Sequence, residues 1–474
     1  MADSSHRETQ TDRQGQFSFL QVDAGEYRLT AEYPGLAPVM RTIALSDGNR
    51  IENIQFSDMA VQTETVTVSA DVSDVGLFTA DPAQRIMVRD ETLDANPGRP
   101  GMPISIPGMP VESPAGGVKP PQYFAPGVAG DHGESMAMFF QIGGFLLPNN
   151  LPANAHGNGY ADPNVIIPIA IESAQTDGGA FNVREGNNSV NSSVIFGLRD
   201  RLDPVIRLTG DYRDLNLVTG WSPLDPANRS WVGLEISCGN GFLERLEHRK
   251  QYKGNVSKVF DFGKHELTVY GIGYYGFAYQ PGLIPIDTPV ANDTIDPRQS
   301  EESSTGAVIF NDVWHVTNRR QFQFSGFYRY YTLDVRPNFG DELIRQSEHR
   351  NANSEDILYA ESFSKSFSLL AGMNFRREAP RALALDHITD NNVLRPVTDN
   401  NLTLNFYSPF VSADGTVLHV LHYNLGYRRD EVTLTTKTSI EAIFLFRDTR
   451  ASIRRRQRLR LSRQPRSRTC RPCR

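Results

Sequence analysis

Seven side chains that can hydrogen-bond a solute fall within one short segment, Gly143–Asp162, which reads GGFLLPNNLPANAHGNGYAD. They are Asn149, Asn150, Asn154, His156, Asn158, Tyr160 and Asp162. Amide, imidazole, phenol and carboxyl groups can together bind a polar solute. Asparagine and glycine also hold turns with positive φ, so the same residues could shape a loop instead. Both interpretations, solute contact and turn formation, stay open.

The histidines of this region are weak candidates for metal ligands. His132 and His156 have no paired carboxylate at ligand spacing, so ordinary loop histidines are the simpler interpretation. Cys470 and Cys473 form a CxxC without a second pair, and Cys238 stands alone. We therefore expect neither a metal site nor a cofactor.

Catalytic motifs are missing from the sequence. It contains no GxxxxGK(S/T), HExxH or GxSxG, and its acidic residues show no distinctive pairing. We expect that the protein is not an enzyme.

The charge distribution argues against a nucleic-acid partner. The net charge is −7, but residues 454–474 hold ten arginines and no acid. The rest of the chain has 38 basic residues and 55 acidic residues, so it is acidic. Phosphate binding needs clustered cations, which excludes nucleic acid as an expected partner of that part.

Alternating apolar and polar residues predict many β-strands from about Asn187 onward. In 321–331, Phe322, Phe324, Tyr328 and Tyr330 share one face and polar residues share the other, with Phe327 as the exception. About eleven such segments recur, with aromatic residues near their ends and long polar loops between some of them. Their ranges are 189–199, 204–214, 254–262, 265–278, 304–315, 319–333, 356–364, 367–376, 401–411, 416–428 and 431–446.

The segment at 143–162, followed by the run NVIIPIAIE at 164–172, resembles the centre of the plug domain of TonB-dependent outer-membrane receptors. Residues 141–144 read QIGG where the family has a DG-x-P motif with an acid, so that signature is altered. The resemblance implies a mainly β chain with three parts. These are a small β-sandwich, an α+β plug, and an antiparallel transmembrane β-barrel with roughly half of the family's strands.

The resemblance also implies the domain limits. Residues 1–60, with the pattern TDxxGxFxF and later GEYRL, resemble a partial carboxypeptidase regulatory-like β-sandwich. Residues 61–75 would form a linker, 76–186 the plug, and 187–450 the partial barrel. Within the linker, Glu64, Thr65, Val66, Thr67 and Val68 resemble a TonB box, an extended segment able to add to a sheet edge. The last strand of the first domain is the alternative for this segment.

The two ends of the chain carry separate expectations. The start, MADSSHRETQ, has no charged region followed by an apolar core, so we expect no signal peptide there. Residues 451–474 are rich in arginine and have no strand periodicity, which suggests translation out of frame. A basic arm that binds anionic lipid headgroups is the alternative.

The function implied by the resemblance is uptake of a scarce solute across the outer membrane. The solute would be a siderophore, a metal complex, an oligosaccharide or a peptide. Energy would come from a TonB-type coupling protein, and the barrel would contact outer-membrane lipid. Two alternatives remain at this point: a cell-surface β-rich protein that binds without transport, and a non-functional remnant of a receptor.

Overall fold

The structure, a computed structural model, describes the greater part of the chain. The described residues are 9, 11, 17–19, 22–23, 25–33, 36–45, 52, 54, 85–89, 111–112, 118, 122–123, 136–179, 181–186, 188–225, 227–241, 245–280, 296–338, 343–364, 366–417, 421–438 and 449–453. The proposed TonB box at 64–68 and the arginine-rich residues 454–474 lie outside the described residues.

The chain divides into two compact units, Met1–Ser69 and Ala70–Arg474. In the first unit, β1 (Gly25–Tyr33) and β2 (Leu36–Leu45) pair as an antiparallel hairpin. The Tyr27 hydroxyl donates to the Asp23 carbonyl at 2.9 Å and ties the chain ahead of β1 to that strand. The carboxypeptidase regulatory-like sandwich stays a prediction, because only this hairpin and a few neighbouring residues are described.

The second unit contains a sheet of five short strands, called here the small sheet. Its order is β3-β10-β11-β6-β7, with β11 and β6 parallel and the other pairs antiparallel. Two 3-10 helices, Pro163–Val165 and Pro168–Ala170, lead into β10. The strands of this region are β3 (Arg85–Arg89), β4 (Val111–Glu112), β5 (Gln122–Tyr123), β6 (Met136–Ile142), β7 (Phe145–Pro148), β8 (Asn150–Leu151), β9 (Tyr160–Ala161), β10 (Ile171–Gly178) and β11 (Ser192–Leu198).

The same unit contains a much larger antiparallel sheet, called here the large sheet. It runs in chain order from β12 to β24, and β22 and β23 lie end to end beside β21. Its strands are β12 (Val205–Gly210), β13 (Asp214–Trp221), β14 (Ser230–Gly239), β15 (Arg249–Asp261), β16 (His265–Tyr279), β17 (Ser300–Thr317), β18 (Arg320–Arg336), β19 (Leu343–Ser364), β20 (Phe367–Ile388), β21 (Leu394–Val417), β22 (Leu421–Arg428), β23 (Glu431–Thr438) and β24 (Thr449–Ile453).

The large sheet curves around the small sheet. The Trp231 indole N–H on β14 donates to the Arg199 carbonyl at 2.7 Å, and Arg428 on β22 donates to the Val183 carbonyl at 2.8 Å. These two strands are eight positions apart in the large sheet, which would separate them by roughly 40 Å if that sheet were flat. The five strands of the small sheet together are only about 20 Å wide. Both can reach the small sheet only if the large sheet bends toward it.

The apolar core lies between the two sheets. Phe140 and Phe196 of the small sheet pack with Tyr270, Ile309 and Phe327 of the large sheet, and all five side chains are buried. Phe327 interrupts the polar face of its strand because it enters this core. The irregularity seen in the sequence therefore marks a contact between the sheets.

The predicted fold class is confirmed, since the described chain is mainly β with one large antiparallel sheet. Within the described part of 76–186, the elements are strands and two 3-10 helices, so the α-helical share of the predicted plug stays a prediction. Among the described residues, no helix is both long enough and apolar enough to cross a membrane.

Candidate functional site

Asn150 organises the segment that the sequence singled out. Its side-chain oxygen accepts from the Met138 N–H at 2.7 Å. Its amide nitrogen donates to the carbonyls of Met136 at 3.1 Å and Gly159 at 2.9 Å. The side chain is buried and every contact is to main chain, so Asn150 holds β6 and β9 together. Its hydrogen-bonding groups point into the fold.

Asn154 and Asn158 shape the turn that follows. The Asn154 side chain accepts from the His156 N–H at 2.9 Å, and the Asn158 side chain accepts from the Ala153 N–H at 2.9 Å. Ala153 and Gly159 have φ of +50° and +87°, the left-handed region. This geometry supports turn formation for both asparagines. A solute contact by exposed Asn158 stays a prediction.

His156 and Tyr160 meet the large sheet at the tip of this turn. His156 Nδ1 lies 3.0 Å from the Gln346 side-chain oxygen on β19, and its ring packs edge-on against Tyr160, with centroids 5.3 Å apart. Both line a pocket with Val118, Glu301, Ser303 and Leu333. Of these predicted residues, Asn158 is exposed and His156 is partly exposed, whereas Tyr160 is buried.

Asp162 is buried under the turn, and one of its two carboxyl oxygens accepts a hydrogen bond. Its Oδ1 accepts from the Asn164 N–H at 2.9 Å and caps the 3-10 helix, whereas Oδ2 has no hydrogen-bond partner among the described residues. Burial raises the pKa of Asp162 to about 7, while nearby Lys253 acts in the opposite direction. Asp162 and Asn149 line a second pocket together with Arg329 and Tyr331.

The raised pKa of Asp162 predicts a pH-dependent stability. The folded state favours the neutral acid, so the contribution is fully present below pH about 4 and is lost as pH rises toward about 7. Asp162→Asn keeps the cap and cannot ionise, so it should remove this slope, worth roughly 4 kcal/mol at most. Urea unfolding of both forms between pH 4 and 8 measures it. Parallel pH curves for the two forms would contradict the assignment.

Inward-facing asparagines of the large sheet bind the main chain of the small-sheet region. Asn255 on β15 donates to the Val165 carbonyl at 3.1 Å and accepts from the Ile167 N–H at 2.8 Å. Asn311 on β17 donates to the Gly143 carbonyl. Sequence reasoning missed both asparagines. Their only signal was a polar residue at alternate positions of a strand.

Gly143 is the point of closest approach between this segment and the large sheet. Its φ is +53°, and a Cβ there would lie 2.8 Å from Thr268 Oγ1 and 2.9 Å from Asn311 Nδ2. Gly143→Ala should therefore cost about 1–3 kcal/mol in the free energy of unfolding, because it combines backbone strain with a clash. The matched control is Gly263→Ala, where φ is +82° but nothing lies within 4 Å. Urea unfolding showing equal losses for both would exclude the clash.

Five charged side chains of the large sheet form a cluster beside residues 148–153, which lead into the turn. Arg329, Arg350 and Arg376 converge on Glu378, and Arg350 also makes a two-pronged pair with Glu348. The arginines come from three successive strands, β18, β19 and β20. The three arginines also donate to main-chain carbonyls of Pro148, Asn150, Pro152 and Ala153. No sequence pattern predicted this cluster, because its members lie far apart in the chain.

A second loop, 181–186, contacts the opposite end of the large sheet. Arg428 on β22 donates to the Val183 carbonyl, and Arg184 donates to the Gly144 carbonyl at 2.6 Å. Burial and the neighbouring Asp177 raise the pKa of Glu185 to about 8. The loop therefore brings the Glu185 carboxyl and Arg184 to the junction of the two sheets, where Arg428 of the large sheet contacts it.

Among the described residues, no group of three His, Cys, Asp or Glu side chains is placed to hold a metal ion. The polar groups instead join two separate sheets through side-chain to main-chain contacts. Such an arrangement can hold one body inside another.

The comparisons with known proteins come from structure alone. No protein-family model and no curated protein matches the sequence. The fold is similar to the ferric citrate transporter FecA in its unliganded form, with a TM-score of 0.60, 12% identity, and coverage of 78% of this chain and 58% of that chain. It is also similar to the ferric yersiniabactin uptake receptor FyuA from Yersinia pestis, with a TM-score of 0.56, 9% identity, and coverage of 81% and 61%.

A third similar structure is the ferripyoverdine receptor of the outer membrane of Pseudomonas aeruginosa, bound to ferripyoverdine. The TM-score is 0.55 and the identity 15%, with coverage of 78% of this chain and 53% of that chain. At these identities the likeness concerns the fold, and the large antiparallel sheet resembles the barrels of TonB-dependent receptors. The chain spans less than two thirds of each of these three structures.

Proposed function

We propose that the chain acts in an outer-membrane receptor of the TonB-dependent kind, with the large sheet as its wall and the small sheet as its plug. The observation that carries the proposal is the orientation of the wall strands. On β14, Val232, Leu234 and Ile236 point outward and are 41–48% exposed, while Glu235 and Ser237 point inward and are buried. A water-soluble sheet has the opposite arrangement, with its apolar face covered.

Two rows of aromatic side chains on the outward face support a bilayer setting. Tyr252 stacks on Tyr275 in one row, and His265, Trp314 and Phe322 stack in the other. On β18, eight residues separate Phe322 from Tyr330, about 26 Å along the strand. A strand tilt of about 40° reduces this to roughly 20 Å, close to the apolar band of outer-membrane proteins, which aromatic girdles flank.

The connections between wall strands indicate which end faces outward from the cell. Beside the Trp314 row, β15, β17 and β19 connect to the next strands by two or three residues. At the other end, β16 and β17 are joined through residues 280–299. Outer-membrane barrels have short periplasmic turns and long extracellular loops. The His156 turn, which lies beside Glu301 and Ser303 at the start of β17, then faces the extracellular side.

The contacts between plug and wall support a plug that can move. They include hydrogen bonds from wall side chains to plug main chain, such as those of Asn255 and Asn311. No strand of the small sheet pairs with a strand of the large sheet within the described ranges. The plug could therefore shift without breaking a ladder of either sheet. Force from a TonB-type protein bound at Glu64–Val68 would reach the plug first through β3, its edge strand.

We propose an iron carrier as the solute, because the similar structures are a ferric citrate transporter, a ferric yersiniabactin uptake receptor and a ferripyoverdine receptor. The alternatives from the sequence are another metal complex, an oligosaccharide or a peptide. The candidate contacts are His156, Asn158 and Tyr160 at the plug tip.

Uptake of radiolabelled ferric citrate and ferripyoverdine tests the proposal. Cells that produce the full chain should accumulate label, and deletion of Glu64–Val68 should reduce uptake at least tenfold while cell-surface binding is kept. Binding without uptake by the intact chain would favour the non-transporting cell-surface protein. Uptake that is unaffected by the deletion would exclude coupling through this segment.

A further inference from the structure

We propose that Glu378 is the positioning residue of a latch that seats the plug by its main chain; this rests on the proposed plug and wall. Glu378 is completely buried on β20. Its carboxylate accepts from Arg376 Nε at 2.7 Å and Arg350 Nη1 at 3.1 Å, and pairs with Arg329 Nη2 at 3.4 Å. One acid therefore orients three guanidinium groups from three strands.

Each of these arginines also donates to main-chain carbonyls of the plug. Arg329 Nη1 donates to the Pro148 carbonyl at 3.1 Å, and Arg376 Nη2 donates to the Asn150 carbonyl at 2.8 Å. Arg350 donates to the carbonyls of Pro152 at 2.9 Å and Ala153 at 3.2 Å. A guanidinium group has five donors in a fixed fork, so it can bind an acid on one edge and a carbonyl on another.

The plug side of this contact consists of main-chain atoms. No plug side chain takes part in the four arginine contacts, so the latch depends on the backbone conformation of residues 148–153. Asn150 contributes by fixing that path through its bonds to Met136, Met138 and Gly159. The sequence motif thus presents carbonyls to the wall, and the wall supplies every charge.

Glu378 supplies the negative charge that neutralises the buried arginines of the cluster. Arg350 is fully buried and Arg329 is 6% exposed, so neither can move into water when its counter-charge is removed. Without Glu378, Arg350 keeps its pair with Glu348, but Arg329 and Arg376 lose the carboxylate with which they pair. Their repulsion should rotate the guanidinium groups away from the carbonyls. The plug loop then loses four main-chain bonds through one change in the wall.

Two β-bulges hold the cluster in place. One interrupts the β19–β20 register at Ser347–His349, and the other interrupts β20–β21 between Glu378 and Leu383. Ala382 within the second bulge has φ +46°. Bulges redirect side chains and bend a strand locally. Here they flank Glu348 and Glu378 at neighbouring positions of the wall.

Amide hydrogen exchange of the full chain, refolded in detergent micelles, tests the latch without solute or TonB. Glu378→Gln should speed exchange of peptide 148–160 at least tenfold, with no change in the amides of β14–β16. Glu235→Gln is the matched control, because it neutralises another buried wall acid that has an ion pair with Lys253. It should leave 148–160 protected.

A milder variant can test the latch if Glu378→Gln does not fold. Arg376→Lys removes the fork that joins Glu378 to the Asn150 carbonyl, at a side chain that is 17% exposed. It should speed exchange at 148–153, whereas Ala153→Gly on the plug should not. Unchanged protection at 148–153 in a folded wall variant, or a loss in Glu235→Gln equal to that in Glu378→Gln, would overturn the latch. Either result leaves the uptake experiment unaffected.

Discussion

Val308→Arg should destabilise the chain in a lipid bilayer by about 2–4 kcal/mol, the cost of a cation on the lipid face near the midplane. Val308 is on the outward face of β17, 58% exposed, and opposite Tyr328 of β18. It lies between the two aromatic rows. If the wall faces lipid, the arginine must leave water. Urea unfolding in phospholipid vesicles measures the loss.

Val393→Arg is the matched control for this prediction. Val393 is 55% exposed, nearly the same as Val308, but it lies in the connection between β20 and β21. An exposed loop substitution should change the free energy of unfolding by less than about 0.5 kcal/mol. If both variants behave like loop substitutions, the outward face is in water and the membrane assignment is wrong.

Lys253→Met should cost about 3–5 kcal/mol, because it leaves a buried carboxylate without its counter-charge. Lys253 Nζ lies 3.2 Å from Glu235 Oε2, and both side chains are 1% exposed. The pair joins β14 and β15 on the inward face, where Asp162 of the plug is also near. Removing the cation alone exposes the full desolvation cost of the acid.

The double variant Lys253→Met with Glu235→Leu separates pair loss from poor packing. Replacing both partners by apolar groups of similar volume is often neutral or stabilising. We therefore expect the double variant to recover most of the loss in urea unfolding. A double variant as unstable as the sum of the two single variants would show that the pair itself is not coupled.

Many strands were predictable, because alternation is a local property. However, β14 lies outside every predicted range, and the predicted range 189–199 contains β11, which belongs to the small sheet. Phe322, Phe324, Tyr328 and Tyr330 share a face as predicted, and that face is the outward one. Alternation alone does not say which face is covered, since a soluble sandwich alternates as well. The decisive fact is that polar Gln321 and Gln323 are the buried ones, and only the fold provides it.

The site was predictable only in part. The motif at 143–162 does lie at the junction of the two sheets, but Asn150 and Asp162 are buried and hold the loop together. Its partners in the wall could not be found, because Arg350 and Pro152 are 198 residues apart in the chain. A bond from a side chain to a carbonyl leaves no pattern in the acceptor's sequence.

Depth-dependent quenching by brominated lipids tests the central claim most directly, namely that the outward face of the large sheet lies in a bilayer. The chain has three tryptophans, so Trp221→Phe and Trp231→Phe leave Trp314 as a single probe in the aromatic row. Adding Trp314→Phe and Val308→Trp moves the probe between the rows. We predict that shallow bromines quench Trp314 most strongly and that deep bromines quench the tryptophan at 308 most strongly. Equal emission of both probes with and without brominated lipid would contradict the membrane wall.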